Sequence, residues 1–206
     1  MDLDEQFGRL ADEEQLTRTV ASLEKNGIKA IVVETGKEAK DTVLAMIEKG
    51  ASVMTVTSTT SDQIGLSEAI ETSEDFVSLR KKIMALPQSE QRAQARRINS
   101  APDYAIGSIH ALTENGQAVI VSNSGSQLPA YAASAAKVIW VVGTQKIVTN
   151  LDEAMARIEK YALKLESERM QKIYGMDSNI RKILIINSEI VPERITLILI
   201  KERLGF

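Results

Sequence analysis

Apolar residues in this chain recur with two periods, one helical and one strand-like, and the two alternate along the sequence. Leu16, Val20 and Leu23 fall at i, i+4 and i+7, and Gly27 follows them. That spacing predicts an amphipathic helix over residues 14–26 with a glycine stop. Residues 28–33 form a short β-branched run and predict a strand. Val43, Leu44 and Ile47 share one face of a second helix, residues 37–49, which Gly50 ends. Residues 52–57 (SVMTVT) predict a second strand, running into a Ser/Thr cluster. The charged stretch 72–99 is helical in composition, with Pro87 near a helix start. Three more apolar runs follow, at 104–109, 117–121 and 137–142, with an Ala-rich short helix over 128–136 between the last two. Asn150 and Glu153 then have the spacing of a capping box. Leu151, Ala154, Met155, Ile158, Tyr161, Ala162 and Leu165 give the helix that follows its core face, as far as about residue 173.

Strands that alternate with helices imply βαβ units and a mainly parallel sheet, an α/β fold. Residues 113–116 are the exception: the Asn115-Gly116 pair favours a tight turn and an antiparallel hairpin inside that sheet. The last stretch changes character. Residues 180–190 and 194–204 are β-rich and are separated by Val191-Pro192-Glu193, which predicts a C-terminal β-hairpin. There Ile195, Leu197 and Leu199 alternate with Thr196, Ile198 and Ile200, so both faces are apolar. Such a hairpin needs a cover, supplied by the rest of the chain or by a second copy in a homodimer. The expected organisation is an α/β domain over 1–178 and a β-rich extension over 179–206.

Composition narrows the function classes. The 206 residues are 44% apolar, which suits one domain with or without a small appendage. The net charge of −3 provides no general basic field for nucleic acid or anionic lipid. With no Cys, the sequence cannot form a disulfide, a thiolate zinc site or a cysteine-ligated iron–sulfur cluster. Its single His excludes a multi-histidine metal site within the chain. The longest apolar runs fall far short of the ~20 residues of a membrane span. The start, MDLDEQFGRLADEE, is acidic and has no hydrophobic signal core. The expectation is a cytoplasmic protein.

Four segments could carry chemistry. Thr57, Ser58, Thr59, Thr60 and Ser61 stand where a strand gives way to a helix, a place where hydroxyls and N–H groups converge and the dipole favours phosphate or carboxylate. The same residues also suit an N-cap and an ordinary polar turn. In the run from Gly107 to Gly116, Glu114 precedes the Asn115-Gly116 turn and could act as nucleophile or general base if partly desolvated. A solvated turn carboxylate is the plainer reading, and His110 nearby could equally be a packed histidine. Ser124, Gly125, Ser126 and Gln127 lie in a loop of small polar residues between a strand and a helix, with N–H groups open to an anion. The loop lacks the Gly-Lys-Ser/Thr of a Walker loop and the three glycines of a dinucleotide fingerprint. Lys146, just past a strand end, could add positive charge to the same crevice or sit exposed in its loop.

Residues 103–158 together resemble the lactate-utilization (LUD) domain family. The shared elements are Gly107-Ser-Ile-His110-Ala-Leu-Thr-Glu114-Asn-Gly116, the later Gly125 loop, and Val138-Ile-Trp-Val-Val-Gly143-Thr-Gln-Lys146-Ile-Val148. The loop around Asp62-Gln-Ile-Gly65 is similar as well. The resemblance implies a three-layer α/β fold with a mainly parallel sheet, similar to the ribose-phosphate isomerase, glucosamine-phosphate deaminase and CoA-transferase group. Ligands of that group sit over loops at the carboxyl ends of the strands. Class I CoA transferases carry their nucleophilic glutamate in a Ser-Glu-Asn-Gly turn, which Thr113-Glu114-Asn115-Gly116 resembles. The chain departs from the family where His110 replaces a frequent Asn and where Gly125-Ser126-Gln127 replaces a frequent Gly-Asn-Arg. Related chains often end in a Cys-rich segment, and this one resembles a stand-alone form without it.

Three functions follow as expectations. The first is a LUD protein of lactate or related organic-acid utilization that binds a small anionic ligand or a redox partner, an iron–sulfur or flavin protein. The second is an acyl-CoA-dependent transferase with Glu114 as nucleophile and His110 beside it. The third is a sugar-phosphate isomerase-type enzyme using Lys146 and Glu114. All three place Thr57–Ser61, His110, Glu114–Gly116, Ser124–Gln127 and Lys146 in one crevice, and none of them identifies a cofactor.

Overall fold

Helix starts in this chain are set by side-chain caps, and the strands between them by β-branched runs. In the computed structural model, which describes residues 4–206, the first three residues of the acidic N-terminal stretch lie outside the described residues. Asp12 caps α1 (Glu13–Lys25) by accepting the Gln15 N–H at 2.8 Å. β1 (Lys29–Val33) follows, then α2 (Gly36–Met46), capped by Thr35, and β2 (Ser52–Thr55). Ser58 caps the short α3 (Thr59–Gln63), and α4 (Leu66–Thr72) and β3 (Val77–Ser78) come next. α5 (Leu79–Met84) and α6 (Gln88–Ile98) occupy the charged middle stretch. β4 (Tyr104–Gly107), β5 (Ala111–Thr113), β6 (Ala118–Ser122) and β7 (Lys137–Gly143) follow, with a π-helical turn at Ala130–Ser134. After β8 (Ile147–Val148), Asn150 caps α7 (Leu151–Arg157), accepting from the Glu153 N–H at 3.0 Å. α7 runs through a π-helical segment, Ile158–Ala162, into α8 (Leu163–Tyr174). β9 (Lys182–Ile186) and β10 (Ile195–Ile200) complete the order.

The main sheet has six strands in the order β1-β10-β7-β4-β2-β3, and every neighbouring pair is parallel. Side chains alternate between its faces. Val138, Trp140 and Val142 of β7 point into one core, while Ile139 and Val141 point into the other. The second core is closed by Ala39 and Val43 of α2 and Leu66 and Ile70 of α4. The first is closed by Leu16 and Leu23 of α1, by Tyr131, and by the inner face of a smaller sheet. The result is a mainly parallel sheet between helical layers, an α/β three-layer arrangement.

The smaller sheet corrects one expectation. The Asn115-Gly116 hairpin forms, but outside the main sheet, as part of a four-stranded sheet ordered β8-β5-β6-β9. The chain leaves the main sheet at Ser108, whose hydroxyl donates to the Val141 carbonyl at 2.7 Å. Leu112, Ala118 and Ile120 then pack down on the main sheet. Ala111 and Val119 face outward and are covered by Ala154, Ile158 and Tyr161.

Both C-terminal strands are present, and each pairs in a different sheet. β9 lies antiparallel to β6, whereas β10 lies between β1 and β7 and is parallel to both. The connection between them is anchored by the buried Arg194–Glu189 ion pair at 2.7 Å, and Arg194 also donates to the Tyr131 carbonyl at 2.9 Å. The two apolar faces of β10 are covered from within the chain: Ile195, Leu197 and Leu199 enter one core, Ile198 and Ile200 the other. Ile198 is fully buried. Ile198→Ala is expected to cost about 2–5 kcal/mol through lost burial and a cavity, measured by urea unfolding.

Candidate functional site

Because the six strands run parallel, their carboxyl ends share one edge, which is where open α/β sheets hold ligands. The segments after β2, β4 and β7 meet there with the loop after β6 and one side of α8. They enclose a cavity of about 630 Å³. Thr57, Ser58, Thr59, Thr60, His110, Ser124, Ser126, Gln127 and Lys146 all line it. Ser61 is buried behind them, donating its N–H to the Ser58 hydroxyl. Gly125 lies just outside the lining, with its φ at +82°.

Lys146 is almost fully buried. Its ammonium donates to Thr60 Oγ1, Ser108 Oγ and the Ile109 carbonyl, each at 3.1 Å. All three acceptors are neutral. Both hydroxyls are fixed by donating onward, Thr60 to the Leu204 carbonyl and Ser108 to Val141. Burial, and then the charge of Arg157, hold Lys146 well below the usual lysine value.

Arg157 lies behind the same wall and is fully buried. It donates to the backbone carbonyls of His110 and Gln145, the latter at 3.3 Å, and its guanidinium lies 5.3 Å from the Tyr161 ring centre. One of its terminal nitrogens has no partner. Burial pushes it down to about 10. Among the described residues, neither Lys146 nor Arg157 pairs with a carboxylate. Sequence reasoning missed Arg157, yet a signal was there: it occupies the core register of its helix, between Ala154 and Tyr161. The π-helical segment begins immediately after it, a feature that recurs at functional sites.

His110 is partly buried in the cavity wall. The Val121 N–H donates to its Nδ1 at 3.3 Å, so the neutral ring carries its proton on Nε2. Burial first, then Lys146 and Arg157, push its pKa down to about 3. The cavity also contains an internal ion pair, in which Arg169 makes two 2.7 Å bonds to Glu166. Arg80, another lining residue, is paired with Glu71 at 3.4 Å.

The loop after β6 is braced by its own side chains. Gly125 N–H donates to Ser122 Oγ at 2.8 Å and Ser126 N–H to Ser124 Oγ at 3.3 Å. Two of the N–H groups expected to face an anion are therefore already engaged.

Glu114, Asn115 and Gly116 are not brought into the crevice. His110 and Glu114 flank the short β5 at its opposite ends, about 13 Å apart at the rise of an extended strand. Glu114 turns instead to α1, where it accepts from Gln15 Nε2 at 3.1 Å and Arg18 Nε at 2.9 Å. Asn26 donates to the Asn115 carbonyl at 2.8 Å. Gly116 has φ +80°, and a Cβ there would come within 3.0 Å of the Ser22 carbonyl carbon, so the turn requires glycine both for its conformation and for its close contact with α1. Among the described residues no cluster of His, Asp and Glu is arranged to hold a metal ion.

The family model for the LUD domain matches residues 16–200. The chain belongs to the LUD domain family. Its fold is similar to that of a DUF162 family protein from Deinococcus radiodurans, with a TM-score of 0.57 at 12% identity, covering 93% of this chain and 99% of that one. A second solved structure, eIF2B beta from Chaetomium thermophilum, aligns over 56% of this chain and 43% of its own at 16% identity, with a TM-score of 0.38. No curated protein matches the sequence. In this LUD domain every residue lining the strand-end cavity except Phe206 lies within the matched span. No helix among the described residues is long and apolar enough to cross a membrane.

Two predictions follow from this geometry. Glu114→Ala is expected to lower the melting temperature, measured by thermal unfolding, by loosening α1 from the hairpin. The neutral His110 makes the fold acid-sensitive. Between about pH 6.5 and 3 the unfolded chain binds a proton at this residue that the native state excludes, so its stability is present above 6.5 and lost as pH falls. Urea unfolding of the wild type and of His110→Asn at about pH 7 and pH 5 should show about 2 kcal/mol more acid loss in the wild type.

Proposed function

We propose that this LUD domain binds a small organic anion in the strand-end cavity, as part of lactate or related organic-acid utilization. The observation that carries the reading is the pair of buried cations, Lys146 and Arg157, with no carboxylate partner among the described residues. A buried charge without a counter-ion costs several kcal/mol. Neutral hydrogen bonds offset part of that cost, and an anion in the adjoining cavity offsets more. The other charged side chains lining the cavity do not compete, because Glu166 is taken by Arg169 and Arg80 faces Glu71. The lining hydroxyls of Thr57, Ser58 and Ser126 provide donors of the kind that carboxylate oxygens accept. Because these 206 residues contain no Cys to ligate an iron–sulfur cluster, the reading assigns any redox step to an iron–sulfur or flavin partner protein.

An anion drawn against Lys146 favours its charged form. Binding is therefore expected to weaken as pH rises, measured by titration calorimetry at two pH values. The panel is L-lactate, pyruvate, acetate and inorganic phosphate, with phosphate testing the sugar-phosphate alternative. Lys146→Met, which removes the charge and keeps the volume, should weaken binding at least about tenfold, or about 1.4 kcal/mol. Its melting temperature should stay at or above that of the wild type. Equal affinity in the variant, or no binding of any panel member, would exclude the proposal.

A further inference from the structure

The strand-end cavity contains the chain's single imidazole, whose two ring nitrogens are in different situations. Nδ1 is committed to the backbone, since it accepts the Val121 N–H at 3.3 Å. Nε2 is left for the cavity that His110 lines, and no acceptor reaches it among the described residues. The residue's backbone is fixed from both sides. His110 N–H donates to the Val119 carbonyl at 3.0 Å, and Arg157 donates to the His110 carbonyl. Lys146 holds the preceding carbonyl, that of Ile109, at 3.1 Å. The charged side chains lining the cavity are Lys146, the Glu166–Arg169 pair from α8 and Arg80 of α5, itself paired with Glu71, while Arg157 lies behind the wall.

We propose that Arg157 is a positioning residue that, with the Val121 N–H, fixes His110 as a neutral Nε2–H donor to an oxygen of the bound anion. This deepens the anion-binding reading and rests on it for the ligand. Burial disfavours an imidazolium most, and the charges of Lys146 and then Arg157 in the same wall disfavour it further. The neutral ring avoids it and still offers one directed N–H. A donor of this kind suits a carboxylate or carbonyl oxygen, which it can polarise without giving up its proton. The ligand class is thus a small carboxylate that meets a neutral donor from His110 and a cationic field from Lys146 and Arg157.

The single histidine makes the test clean, because nitrogen-15 spectra of this 206-residue chain contain one imidazole. The expected result for the wild type is the neutral Nε2–H pattern from about pH 5 to pH 8. Arg157→Met should raise the imidazole's titration midpoint, and Arg157→Lys should bring it back toward the wild-type value. A merely structural role for Arg157 would lower the melting temperature of both variants without moving the midpoint. A wild-type midpoint near 6.5, or an Nδ1–H pattern, overturns the proposal. With pyruvate or L-lactate as probe, the Nε2 resonance should shift on binding, and His110→Asn should weaken the probe less than His110→Leu does. If a probe binds and the Nε2 resonance does not move, the donor role is lost while anion binding stands. If no probe binds the wild type, anion binding and the ligand contact both fail, and the role of Arg157 stands or falls on the nitrogen spectrum alone.

Discussion

Strand β10 pairs in register with β1 on one side and β7 on the other, so among the described residues β1 is joined to the rest of the main sheet only through residues 195–200. Its side chains alternate into the two cores, and each core therefore contains residues from this strand. The chain that leaves β10 then returns under the strand ends. The Leu204 carbonyl accepts from Thr60 Oγ1 and, at 2.7 Å, from Gln145 Nε2, and Gly205 N–H donates to Gln63 at 2.6 Å. Thr60 in turn is an acceptor for Lys146. The same insertion that closes the sheet thus orients the hydroxyl that holds the buried ammonium.

That ammonium sets the character of the cavity. Hydrogen bonds to charged groups contribute about 1.5–3 kcal/mol each, and Lys146 makes three, enough to offset much of the several kcal/mol of desolvation but not to neutralise the charge. A buried carboxylate would have satisfied the lysine more fully and would also have closed the site to anions. Thr60, Ser108 and the Ile109 carbonyl keep it hydrogen-bonded and electrostatically open.

Local pattern made much of the fold legible. Leu16 and Leu23 are buried in α1 as their spacing requires, Asn150 caps the helix it was expected to cap, and the Asn115-Gly116 turn forms a hairpin. Pairing partners were not legible, because periodicity reports burial and not neighbours. An apolar face on both sides of residues 195–200 is equally consistent with a covered hairpin and a central parallel strand, and only long-range contacts decide between them. In the same way, strand alternation in residues 111–121 could not show that they form a separate sheet. Within the site, Lys146 and His110 stood out as chemistry-bearing residues near strand ends. Arg157 did not, since a helix rich in Ala, Ile and Tyr at core spacing reads as packing unless the one charge on that face is noticed.

The contrast between Glu114 and His110 shows why a short motif and a site are different things. Thr113-Glu114-Asn115-Gly116 has a physical requirement of its own: a left-handed glycine pressed against α1, and a carboxylate to receive Gln15 and Arg18. Those demands are met whether or not the turn does chemistry, so the residue types alone do not place it at a ligand. A three-residue strand separates it from His110, and an extended chain cannot fold back within that length to bring both to one small molecule. The crevice is therefore governed by the groups that the parallel sheet itself gathers. Its one lining side-chain carboxylate among the described residues, Glu166, is already held by Arg169. What remains is a wall of hydroxyls, one neutral imidazole and two cations behind them, an arrangement whose electrostatics favour receiving negative charge over removing a proton.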